Sequence, residues 1–493
     1  MQMDESLAYQ PLAVDSRHRQ LVLLAACLGA MTVVVDSTVV NVALPSIRAD
    51  LKFSDSLLVW VMNGYLVPYG GALLICGRLG DYFGHARLFL IGMTAFTVAS
   101  LGCALAWTPA MLVSMRAAQG LGAAAAQAVT YALIMATFRS TAERAHALGL
   151  LAVGSTGGGS SGILLGGILT NASGWRWIFL INIPVGLVAC GLILASGGAA
   201  DRGARTGSLD IAGATSVTAA LTLCLLATAS ATQVGLESLH TLIPFMSAVL
   251  LMCVFITVEL RARAPIAPLT LFADRNFRLG VVVCALWTSA QFVWFFISAL
   301  YLEGSLGYDA LHVALAFLPA SVVAALFSLG VSKWLVVRFG TRWPMTAGLL
   351  LVAAGLGIFS LGPTGAGFVT DVLGAMLLVG LGLGIGYNAL VLSTLQGISA
   401  RDYGIGSSLF NTAALMAGCI NIAILTNVMS TRAASAVAAG AGAMAAATAG
   451  YQLAFAIGAA LACTAGAIGG IFLKPVRNRT DFPASRPAGG DSA

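Results

Sequence analysis

The chain has 493 residues, of which 59% are hydrophobic and 9% charged, with a net charge of +6. A soluble globular chain carries about 25% charged residues, so this composition excludes a soluble enzyme and indicates an all-α polytopic membrane protein. The basic residues stand singly between apolar runs, which excludes a nucleic-acid-binding patch.

A membrane span needs about 20 apolar residues, and that rule predicts helices over 21–45, 56–77, 88–107, 110–138, 146–170, 176–197, 209–231 and 239–260. A polar linker over 261–278 follows, and then six more spans over 279–302, 311–337, 343–362, 367–395, 404–430 and 450–473. The count is fourteen, which puts both termini on one side. The stretch 433–450 is mostly Ala and Gly and too feebly apolar to count as a fifteenth. With the amino terminus inside, the outer loops hold Arg48, Lys52, Arg176 and Arg432, Arg116 is intramembrane, and the other basic residues face the cytoplasm. That asymmetry follows the positive-inside rule. The first twenty residues are polar and no cleavable signal peptide is visible, so the first span is expected to serve as the targeting signal. The nine cysteines all lie in apolar segments without CxxC spacing and read as packing residues. No GxxxxGK[ST] run is present, so an ion gradient or a separate ATPase would drive any active transport.

Asp36 stands inside the first span, where an unpaired carboxylate costs several kcal/mol. Such a residue usually binds a cation or carries a proton. In the fourth span Arg116, Gln119, Ala123, Gln127 and Tyr131 fall on one stripe at 3.6 residues per turn. At 1.5 Å per residue, Asp36 lies about 14 Å and Arg116 about 10 Å from the outer ends of their helices. The two are therefore expected to communicate electrostatically, directly or through water.

The loop after the second span reads Gly77-Arg-Leu-Gly-Asp81-Tyr-Phe-Gly84-His-Ala-Arg87. Its order G-x-L-x-D-x-x-G-x-x-R resembles the signature loop of the major facilitator superfamily, with Tyr82, His85 and Ala86 where basic residues are common. A degenerate copy, Gly330, Arg338, Gly340 and Arg342, lies between spans ten and eleven. The run from Arg116 to Ala124 resembles that family's fourth-helix motif. Span five carries Gly158, Gly162, Gly166 and Gly167. These glycines permit close helix contact and resemble the antiporter motif of exporters, with Ile163 where that motif has Pro. The stretches Asp36-Ser-Thr-Val-Val-Asn41-Val-Ala-Leu-Pro45, Trp175 to Gly186 and Leu209 to Gly213 complete a likeness to the fourteen-helix drug:proton antiporters of that superfamily.

The resemblance implies a major facilitator fold of two six-helix bundles, 21–197 and 279–473, with an inserted pair of central helices in 198–260 and cytoplasmic tails 1–20 and 474–493. It implies proton coupling through Asp36 and Arg116, an inner gate at Gly77, Asp81, Gly84 and Arg87, and the antiporter helix at Gly158, Gly162, Gly166 and Gly167. Candidate residues for the substrate cavity are Asn41, Gln119, Gln127, Tyr131, Trp294, Phe295, Glu303, Asn388 and Asn411. The expected partners are a small-molecule substrate, protons and the bilayer, with the protein acting as a monomer in a bacterial inner membrane. No metal-ligand cluster or nucleophile–base constellation is visible, so no metal, cofactor or enzymatic activity is expected. The residues leave open a dedicated exporter of one endogenous metabolite, such as a self-made antibiotic or siderophore, or a non-transporting receptor or assembly subunit.

Overall fold

The computed structural model describes residues 16–474 apart from 54, 59, 139, 198–210, 262–268, 309, 363–367, 369–371 and 400–401. A bilayer offers no water to unpaired backbone groups, so a chain this apolar closes its hydrogen bonds within helices. The long helical units are α1 (Ser16–Leu51), α2 (Trp60–Phe83), α3 (His85–Ala104), α4 (Pro109–Thr137), α5 (Thr141–Ser173), α6 (Trp177–Ala195), α7 (Ile211–Val234) and α8 (Leu239–Arg261). They continue as α9 (Arg275–Gly304), α10 (Ala310–Leu326, a π turn Phe327–Val331, then Ser332–Phe339), α11 (Arg342–Leu361), α12 (Gly374–Leu395), α13 (Tyr403–Ala438) and α14 (Ala443–Phe472).

Among the described residues, 12 helices are long and apolar enough to cross a membrane, against the fourteen expected. The other two expected spans coincide with α2 and α5, helices of 24 and 33 residues. Glycine and polar side chains dilute α2, the side chains of 155–157, 159–161, 163 and 164 in α5 lie outside the described residues, and both helices lie at contacts between the two groups of helices. The helices also outrun the expected spans. In particular α13 and α14 extend through much of 433–450, stopping for a turn at Gly440, whose φ is 89°. Alanine has the highest helix propensity, so a weakly apolar Ala-rich stretch still prolongs the helices on either side.

Local signals set the helix ends. Gly84 takes a φ of 101° to reverse the chain between α2 and α3. Thr108 caps α4 ahead of Pro109, and Ser140 with Glu143 forms a capping box on α5.

Helices α1–α6 pack round one another, as do α9–α14. Glycines let helices approach closely at matching places in the two groups: Gly92 and Gly122 between α3 and α4, and Gly348 and Gly382 between α11 and α12. The groups meet along two seams, α2 and α4 against α13, and α5 against α10 and α12. Helix α7 packs on α2 and on α13, touching both groups, while α8 packs chiefly on α7.

Candidate functional site

Four helices of the first group aim polar side chains at one point. Asp36 on α1, Arg116 and Gln119 on α4 and Ser100 on α3 are all 0% exposed, and Asn182 at the head of α6 is 2% exposed. Arg116 Nη1 donates to Asp36 Oδ2 at 2.5 Å and to Gln119 Oε1 at 2.7 Å. Gln119 Nε2 and Asn182 Nδ2 each donate to Asp36 Oδ1 at 2.8 Å. Gln119 Nε2 also reaches Ser100 Oγ at 2.8 Å, and Arg116 Nε donates to the Val61 carbonyl at 3.0 Å. The guanidinium lies 4.3 Å from the centre of the Tyr65 ring. Asp36 and Arg116, matched in depth by the sequence, thus meet directly and without an intervening group.

Such a site is held together by satisfaction rather than by charge alone. Desolvating two ions in an apolar bundle is repaid only when their remaining donors and acceptors are also paired, and removal of one partner costs about 3–5 kcal/mol. Here the carboxylate accepts from three donors, two of them neutral amides.

Gln119 belongs to this network rather than to an open cavity wall. The network closes with Asn182 and Ser100, neither of which the sequence reading named as a site residue. Asn182 had a signal in the stretch Trp175 to Gly186. A serine in an apolar helix carries no such mark.

The Gly158 ladder explains why α1 stays in place. A β-carbon would stand 3.0 Å from the Val35 carbonyl oxygen at Gly162 and 2.8 Å from the Val39 carbonyl oxygen at Gly166, while Gly158 faces Val34. Three glycines of α5 therefore seat the face of α1 that brackets Asp36. Gly167 has nothing within 4 Å of such a carbon and stands off this contact. The side chains of Ile163 and Asn41 lie outside the described residues.

The signature loop binds the two groups together. Asp81, buried at the end of α2, accepts from the backbone N–H groups of Gly404 and Ile405 at 2.7 and 2.8 Å, at the start of α13. His85 Nε2 lies 3.0 Å from the same carboxylate. An N-terminal helix turn offers unpaired N–H groups and a positive dipole end to an acid. Gly77 packs against Ser408 and the Gly404 carbonyl, where a side chain would collide. Arg87 is exposed on the far side of Gly84. Further links lie at the same end: Arg144 to the Tyr403 hydroxyl at 3.4 Å, Gln396 to Thr141 at 3.3 Å, and Ser328 to the Gly149 carbonyl at 3.1 Å. Deeper in, the hydroxyls of Tyr131 and Tyr387 stand 3.3 Å apart across the two groups.

The remaining candidates scatter. Asn388 donates to Ser328 Oγ at 2.8 Å and ties α12 to α10. Trp294 is buried, donates to Met376 and packs edge-on against Phe295 and Phe317 in the core of the second group. Glu303 is exposed at the end of α9. Gln127 and Asn411 are partly exposed, and Asn411 Nδ2 has no hydrogen-bond partner among the described residues.

Two packed groups of membrane helices, latched at one end and built round a buried ion pair, define a transporter fold. Residues 26–421 match the Major Facilitator Superfamily, and the chain belongs to it. It is 34% identical over 411 residues to the cephamycin export protein CmcT of Amycolatopsis lactamdurans, covering 82% of this chain and 84% of that one. It is likewise 34% identical over 456 residues to the puromycin resistance protein pur8 of Streptomyces alboniger, covering 90% and 88%. Among solved structures it resembles the human organic anion transporter MFSD10, with a TM-score of 0.63 at 14% identity over 92% of this chain and 99% of that one. The chain is thus an integral membrane transporter homologous to antibiotic exporters, and its relatives are not enzymes.

Proposed function

We propose that this protein is a proton-coupled antiporter that exports amphiphilic or cationic small molecules, antibiotics among them, across a bacterial plasma membrane. The Asp36–Arg116 pair, buried in the first bundle and closed by Gln119 and Asn182, carries the reading. A carboxylate that trades its arginine for a proton changes the charge balance of a dry site, which is the event a proton-driven transporter needs. Bundles 21–197 and 279–473 would rock about the seams, with α2 and α5 as spans alongside the 12 that hydropathy identifies and both termini in the cytoplasm. On that orientation the Asp81 latch is the inner gate. The protein would act as a monomer.

A panel of candidate compounds tested in everted vesicles, with collapse of the pH gradient as readout, identifies the substrate. In proteoliposomes Asp36→Asn should abolish uphill, pH-driven transport. Undiminished uphill transport by that variant would refute proton coupling at Asp36. A second reading, export of a single antibiotic made by the same cell, is favoured by the similarity to the cephamycin export protein. It predicts one compound in the panel instead of a broad spectrum.

A further inference from the structure

We propose that Tyr65 is the second partner of Arg116, holding the guanidinium by its ring face whenever Asp36 is neutral. The inference deepens the proton-coupled reading and rests on it. Among the described residues, protonation of Asp36 removes the only carboxylate bonded to Arg116, yet leaves the cation in a site with no exposure. An isolated buried cation is strongly disfavoured, so something else must hold it. The polar atoms left to it are the Gln119 and Val61 carbonyl oxygens, both neutral. Nη2 has no hydrogen-bond partner among the described residues. The Tyr65 ring already lies 4.3 Å from the guanidinium carbon, whereas Phe179 stands at 5.8 Å. A cation over an aromatic face gains about 0.5–1 kcal/mol at exposed sites and about 2 or more when desolvated.

The ring is held in this position by the backbone. Gly120 on α4 meets the Tyr65 carbonyl so closely that a β-carbon would collide with it, and Gly64 sits against Val113 and the Arg116 stem. Around the ring stand Val33, Phe96 and Ala123. Its hydroxyl makes only a long bond, 3.5 Å, to the Val33 carbonyl, so the face of the ring and not its polar tip is the working part. Tyr69 stacks nearly parallel to it, with ring centres 5.8 Å apart and planes 6° from coplanar. The charged, titratable or amide groups facing the pair are Gln119 on α4, Cys103 beside Gln119 on α3, Asn182 on α6 and Tyr65 itself on α2.

The test is a double-mutant cycle on the purified full-length protein, which needs no substrate. Asp36→Asn imitates the neutral acid. Tyr65→Leu should lower the unfolding temperature by about twofold more in the Asp36→Asn background than in the wild type, because there the ring no longer shares the cation with a carboxylate. Tyr65→Phe, which keeps the ring, should restore wild-type behaviour in both backgrounds. Should Tyr65→Leu fail to fold, fluorinated phenylalanines at the same position keep the shape while draining negative charge from the ring face. Stability should then fall with each added fluorine, and more steeply in the Asp36→Asn background. Equal slopes or equal losses in the two backgrounds would overturn the assignment of Tyr65 and leave the role of Asp36 standing. Uphill transport that survives Asp36→Asn would instead remove the proton-coupled reading, and this inference with it.

Discussion

Gln119 makes more contacts with the buried pair than any other neutral side chain, and Gln119→Leu isolates what they are worth. Leucine approximates the volume and keeps α4 helical, but it deletes the bond from Arg116, the bond to Asp36 and the bond to Ser100. Two of these involve an ion, and hydrogen bonds to charged groups contribute about 1.5–3 kcal/mol each. No partner is wholly orphaned, since Asp36 keeps Arg116 and Asn182, and Ser100 donates to the Phe96 carbonyl. The lower figure therefore applies, and the expected loss is about 3 kcal/mol. Thermal unfolding in detergent, followed by tryptophan emission and by helical circular dichroism, measures it. Gln127→Leu is the control: the same chemical change two turns further along α4, at a partly exposed position outside the network. If both variants lower the unfolding temperature equally, the network does not hold these helices together and the reasoning fails.

Further outcomes concern the packing, the latch and the outer surface. Gly166→Ala should destabilise by about 1–3 kcal/mol through overpacking against the Val39 backbone, while Gly167→Ala should be neutral; calorimetry of the two variants compares them directly. Asp81→Asn keeps one acceptor where Gly404 and Ile405 require two, so spin labels across α2 and α13 should report a larger population separated at that end. Asp50 lies beyond the membrane-spanning stretch Ser16–Val40, where Arg176 and then Trp175 hold its carboxyl below the usual range by hydrogen bonding. A lowered folded-state value contributes stability that is complete above about pH 4 and fades as pH falls through the lower value. Arg176→Ala should therefore lower stability slightly at neutral pH and leave the acid end unchanged, flattening the curve between them, a small effect at so exposed a pair.

Asp36 and Arg116 were legible in the sequence because helix rise is fixed and charges in apolar runs are rare, so depth alone matched them. The partners of Asp81 were not, because backbone N–H groups of Gly404 and Ile405 leave no side-chain signature. Asn388 and Trp294 looked like cavity residues for the same reason that Asp36 looked functional: polarity or aromaticity inside a span. In the fold each finds a neighbour, Ser328 or Phe317, that periodicity along one helix cannot reveal. Helix ends were misjudged around 433–450 since hydropathy measures where lipid ends, whereas alanine carries a helix beyond it.

Helix α7 gives the two flanks of the transporter unequal access to lipid. Its Leu225 and Thr222 press on Gly70 and Gly71 of α2, and Leu415 of α13 converges on the same Gly70. That seam is roofed, and any relative motion of the bundles must shear a glycine surface beneath α7 or carry the helix along. The opposite seam, α5 against α10 and α12, has no comparable cover among the described helices. A hydrophobic molecule dissolved in the bilayer therefore meets a barred door on one flank and a bare joint on the other.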